Sequence, residues 1–114
     1  MAMKLEEKRR FPRITFKAPI HYQIRGGSEF SNAVSNDLSL GGLNFVTDKF
    51  IAPRTSVGLE VDVLSRILSP IGRVTWLSPL AHSDRYKVGV EFLELDPREK
   101  NYLRDFIDMQ MGKI

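Results

Sequence analysis

Seven consecutive residues, "NDLSLGG" at positions 36–42, bring together an amide, a carboxylate, a hydroxyl and two glycines. A turn needs only one or two such residues. Asp37 is a pure acceptor when ionised. The Watson–Crick edge of guanine offers two donors, N1–H and N2–H2. A carboxylate matches that edge as it would match neither adenine nor a phosphate. Ser39 can donate or accept beside it, and Gly42 allows positive φ and the close approach of a flat ligand. The plainer alternative is a hairpin turn closed by a side chain-to-backbone bond from Asp37 or Ser39.

A second stretch, "KRRFPR" at positions 8–13, carries complementary chemistry. The guanidinium fork of arginine grips phosphate bidentately, stacks on purine faces and pairs with the O6 and N7 edge of guanine. Arg9 and Arg13 stand at most about 14 Å apart in an extended chain and converge in a turn. Pro12 lacks an N–H and biases Phe11 away from helix, so this is an arm leading into a strand rather than a basic helix. Lys4, Lys8, Arg9, Arg10, Arg13 and Lys17 face only Glu6 and Glu7 at this end, although the whole chain carries just +3. Such a local excess predicts an anionic partner, against the competing reading of a solvated tail.

The elements that must position these residues are mostly strands. Ile14, Phe16, Ala18, Ile20, Tyr22 and Ile24 alternate with mainly polar neighbours, which predicts one long strand over residues 14–24. Pro19 suggests an edge or a bulge in it, and Gly26-Gly27 a hairpin turn. Further strands are expected over residues 30–38, 43–47, 57–63, 71–77 and 86–92. In the fifth, Gly72, Val74 and Trp76 are expected on one face. Six short strands point to a small antiparallel barrel or sandwich, and closure would remove exposed edges. The end of the chain reads as an amphipathic helix over about residues 97–111. Asp96 is its N-cap, Pro97 its first position, Glu99 the capping-box acid, and Gly112 its stop.

Several functions are disfavoured. The chain of 114 residues has no cysteine, and its two histidines, His21 and His82, lie on different elements without ligand-like spacing. The glycines fit neither GxGxxG nor GxxxxGK, and Ser39 sits in no nucleophile elbow. No catalytic constellation stands out, so no enzyme is expected. The first residues lack an apolar signal segment and no run approaches a membrane span. A cytoplasmic location is the expectation.

Taken in order, the two clusters and the later strands resemble the PilZ domain family. "RRFPR" fits its RxxxR element at Arg9 and Arg13, with Arg10 in the often basic second place. "DLSLGG" fits its [D/N]xSxxG element at Asp37, Ser39 and Gly42. "GRVTWLSP" and "YKVGVEFLEL" resemble its later strands through Gly72, Val74 and Trp76, then Gly89, Val90 and Phe92. The resemblance covers nearly the whole chain. It implies a six-stranded antiparallel β-barrel with a C-terminal α-helix, mainly β, that binds the bacterial second messenger cyclic di-GMP. Arg9 and Arg13 would meet phosphates and guanine, and Asp37, Ser39 and Gly42 would surround a guanine. The expected ligand-binding set is Arg9, Arg10, Arg13, Asp37, Ser39, Gly41 and Gly42, with Lys8, Asn36 and Trp76 as further candidates. Val74, Trp76 and Phe92 are expected in the core, with Trp76 the only one of the three able to reach the site as an aromatic surface.

The resulting expectation is a non-enzymatic, single-domain receptor with no cofactor other than its ligand and no membrane insertion. Residues 1–13 form a flexible arm and residues 14–114 the barrel domain. The arm orders over the barrel on binding and changes the surface shown to a downstream protein, in motility, adhesion or polysaccharide production. Two other classes compete. A nucleic-acid-binding barrel would use the basic arm for phosphates, but Asp37 repels a polyanion. An interaction module of the same fold would bind no nucleotide at all.

Overall fold

Successive side chains of a strand point to opposite sides, so a closed sheet can bury one face and leave the other for ligands. The computed structural model describes residues 11–112, and its strands follow this rule apart from three register shifts, one between β3 and β4 and two between β7 and β8. They are β1 (Ile14–Thr15), β2 (Pro19–Ile24), β3 (Ser31–Ser39), β4 (Gly42–Thr47), β5 (Ser56–Val63), β6 (Arg66–Leu68), β7 (Ile71–Pro79) and β8 (Tyr86–Glu94), followed by helix α1 (Pro97–Gln110). Six of them run β3-β2-β5-β7-β8-β4, and β4 pairs back onto β3. The ring is antiparallel throughout. The fold is therefore the six-stranded barrel with one C-terminal helix that the sequence implied. The short strands β1 and β6 add to β3 and β5 respectively.

Ile20, Tyr22, Leu38, Phe45, Val61 and Val88 are among the side chains that fill the core. Helix α1 adds Leu103, Phe106 and Ile107 to it. Asp96 caps the helix by accepting from the Arg98 N–H at 2.8 Å, and Gly112 follows its end with φ 72°. Glu99 does not close a capping box. Its Oε1 accepts from the Ser69 backbone N–H at 2.9 Å, so the acid ties the helix to the turn before β7. The Tyr102 hydroxyl donates to the Val63 carbonyl at 2.9 Å and holds the same region.

The long strand expected over residues 14–24 is broken at Phe16, Lys17 and Ala18. The opposite strand supplies the reason. Ser35 on β3 is fully buried, and its Oγ accepts from the Ala18 N–H at 2.9 Å and donates to the Phe16 carbonyl at 2.7 Å. The hydroxyl stands in for ladder bonds that the break removes. Phe16 turns toward the helix and meets Phe106 edge-on, with ring centroids 4.8 Å apart. Pro19, which cannot donate to a ladder, is then the first residue of β2.

Ser35→Ala should destabilise the domain by about 2–3 kcal/mol, because it leaves a donor and an acceptor unpaired in the interior. Urea unfolding should show a lower midpoint with an unchanged far-UV spectrum. A midpoint equal to that of the parent would mean that the hydroxyl does not bridge the break.

Candidate ligand-binding site

Two single-residue bulges place the chemistry of this protein on one face. On β3 the register shifts between Ser35 and Asp37, so Asn36 is an extra residue. Ser35 and Asp37 would otherwise share a face. The bulge keeps Ser35 inside and turns Asp37 outward, while Leu38 returns to the core. On β7 the register shifts between Val74 and Trp76. Val74 stays buried and Trp76 turns outward, 40% exposed, so the two do not share the face that strict alternation predicts. Phe92, also expected in the core, is only partly buried against it.

The pairings then align one row across five strands. Thr15 lies opposite Asp37, Asp37 opposite Asn44, Asn44 opposite Gly89, and Gly89 opposite Trp76. Neighbouring strands lie about 4.8 Å apart, so the row spans roughly 19 Å from end to end. That is the scale of a flat molecule with two ring systems. A parallel outer row continues through Ser39, Gly42, Glu91 and Arg73, where Arg73 and Glu91 pair at 2.7 Å.

Arg13 reaches Asp37 from the entrance to β1, with Nη1 3.2 Å from Oδ1. The arginine side chain is 51% exposed and the carboxylate 22%. From the other side Asn44 donates through Nδ2 to both carboxylate oxygens, each at 2.9 Å. Asn44 is absent from the set read from the sequence. Its signal was its place as an amide inside the apolar run "LNFV". Counting back from a two-residue hairpin, Ser39 faces Gly42, Leu38 faces Leu43, and Asp37 faces Asn44.

The hairpin loop itself consists of Leu40 and Gly41. The Ser39 hydroxyl is buried, accepts from the Gly41 N–H at 3.1 Å and donates to the Gly42 carbonyl at 3.3 Å. In this state Ser39 builds the turn, which is the plainer role the sequence allowed. Gly42 is needed for space, since a Cβ there would run into the Val90 carbonyl oxygen of β8. Gly41 carries the ring of Phe11, and a Cβ on it would lie 2.7 Å from Phe11 Cδ2. The residue midway between the two motif arginines thus sits on the loop between Ser39 and Gly42 of the second motif. Asn36 contributes through its backbone, whose carbonyl accepts from the Phe16 N–H at 3.3 Å. Lys8, Arg9 and Arg10 lie outside the described residues.

A family model for the PilZ domain matches residues 7–109. The chain belongs to the PilZ domain family. This is a family of non-catalytic receptors for cyclic di-GMP. Solved PilZ structures share the fold. The Bacillus subtilis inhibitor of motility MotI/DgrA is 19% identical with a TM-score of 0.78, covering 92% of this chain and 52% of its own. YcgR from Escherichia coli, solved in complex with c-di-GMP, is 17% identical with a TM-score of 0.75, covering 93% and 47%. The chain thus spans about half the length of both. The PilZ domain of that YcgR with c-di-GMP is 16% identical with a TM-score of 0.67, covering 94% and 99%. Against curated proteins the chain gives no match. Among the described residues no helix is long and apolar enough to cross a membrane.

The PilZ row ends in an optical probe, because Trp76 is the single tryptophan of the chain. Its indole lies over Gly89, where a Cβ would collide with Nε1 and Cε2 of the ring. Gly89→Ala should therefore swing the indole off the sheet, with a red-shifted emission and a far-UV spectrum like that of the parent. Unaltered fluorescence would show that the ring does not rest on Gly89.

Proposed function

We propose that this PilZ domain binds cyclic di-GMP on the outer face of the barrel, with the ligand lying along the row from Asp37 to Trp76. The observation that carries this reading is the meeting of Arg13 and Asp37 at 3.2 Å, which joins the two motifs in one place. An exposed ion pair of this kind contributes at most about 1 kcal/mol, so a phosphate can draw the guanidinium away at little cost. The released carboxylate then faces the two donors of a guanine edge, while Arg9, Arg10 and Arg13 take the phosphates. Trp76 offers an aromatic surface for a base. Ser39, Gly41 and Gly42 shape the turn beside the guanine, and Lys8 and Asn36 border it.

Phe11 supports a route for the arm. Its ring already rests on Gly41, so the arm approaches the loop from a fixed point. On this reading, binding draws the N-terminal arm over the barrel and presents a changed surface to a protein partner in the cytoplasm. A micromolar site needs about 8 kcal/mol, within reach of several charge-assisted contacts after ordering costs. The c-di-GMP complex of YcgR, a protein of the same fold, is consistent with this reading.

Calorimetry provides the test. Hydrogen bonds to charged groups are worth about 1.5–3 kcal/mol, so Arg9→Ala and Arg13→Ala should each weaken cyclic di-GMP binding by about 10–100-fold. Undiminished binding by both variants, or no binding by the parent protein, would reject the assignment.

A further inference from the structure

We propose that Asn44 is a positioning residue that holds the Asp37 carboxylate edge-on and so sets the preference for guanine; this rests on the reading of the site as a cyclic di-GMP receptor. Three observations converge on it. Asn44 lies directly opposite Asp37 in the β3–β4 register. Its Nδ2 donates to both carboxylate oxygens at 2.9 Å, so the carboxylate is held through both oxygens and not through one alone. The amide can face Asp37 only this way round, because the reverse would set Oδ1 against two anionic oxygens.

The third observation is a cost. Asn44 is 4% exposed, and its Oδ1 is buried with no partner among the described residues. A buried carbonyl without a partner is unfavourable, and a leucine of similar size would avoid it. The amide is the worse choice for packing and the better one for holding a carboxylate. Arg13 touches only Oδ1 of Asp37, and in the receptor reading it leaves for a phosphate. Asn44 then remains to orient the carboxylate. A freely rotating carboxylate could still accept from N1–H, but accepting from N1–H and N2–H2 together requires both oxygens in the plane of the base.

The test compares cyclic di-GMP with its inosine analogue, which lacks the N2 amino group, in the parent and in Asn44→Leu. The parent should prefer cyclic di-GMP by about 10-fold or more, the worth of one hydrogen bond to a charged group. In Asn44→Leu that ratio should fall to about 2–3, with a melting temperature no lower than the parent's. A merely structural role would lower the melting temperature and leave the ratio alone, and that outcome would overturn the proposal. A ligand-free measurement guards against a variant that fails to fold. The Asn44 side-chain amide signals in the ¹⁵N spectrum should move in Asp37→Ala, and unmoved signals would overturn the contact. A parent that binds neither nucleotide overturns the receptor reading itself, whereas parent binding with an unchanged ratio in Asn44→Leu overturns the role of Asn44 alone.

Discussion

A β-strand can present only every second side chain to a given face, and the site depends on breaking that rule twice. Ser35 and Val74 both point inward and both are needed there, one to bridge a strand break and one to fill the core. Asp37 and Trp76 each lie two residues later and would follow them inside. A buried carboxylate without a cationic partner is prohibitively costly, and an indole turned inward would have to displace close-packed core side chains. One inserted residue in each strand, at Asn36 and at Thr75, moves both side chains out. The row that results exists only because the two bulges lie at the same height on the barrel.

Much of this arrangement was legible before any coordinates. Alternation in Val57, Leu59, Val61 and Val63 needs no context to be read as a half-buried strand, and all four are buried. The Asp96 and Pro97 start of the helix is equally local. The bulges were not legible, because an inserted residue leaves no mark in composition. Asn36 and Thr75 would be ordinary strand-surface residues in a regular ladder. The break after Thr15 was hidden for a related reason: Phe16 and Ala18 keep the apolar period although Phe16 serves the helix and not the sheet. Glu99 shows the limit of a motif read along the chain. Its spacing suits a capping box, but the Ser69 N–H needs an acceptor and lies within its reach.

Site and helix share a short length of backbone. Arg13 leads into β1, Thr15 pairs with Asp37, and Phe16 rests on Phe106. These three contacts fall within four residues, so a displacement of Arg13 cannot be absorbed by a loop before it reaches Phe16. The Ser35 hydroxyl grips the next step by holding both Phe16 and Ala18. The same side chain that repairs the strand break therefore anchors the segment between ligand face and helix.

The glycines of the two signatures are best understood as room for a neighbour. Gly42 makes room for the β8 backbone, Gly41 for the Phe11 ring, and Gly89 for the Trp76 indole. Gly41 and Gly89 have no conformational need and Gly42 adds a positive φ to its lack of space, so a search for turns would assign the first two to a hairpin and overlook Gly89. The distinction has a physical consequence. A residue required for its flexibility can be replaced at a modest entropic cost, but a residue required for its lack of volume displaces whatever occupies the space. At Gly42 the occupant is backbone of the barrel wall, so the fold must yield. At Gly41 and Gly89 the occupants are side chains at the two ends of the ligand face, so the barrel can stand while the surface changes. Stability and recognition are thus separable at glycine positions that look alike in the sequence.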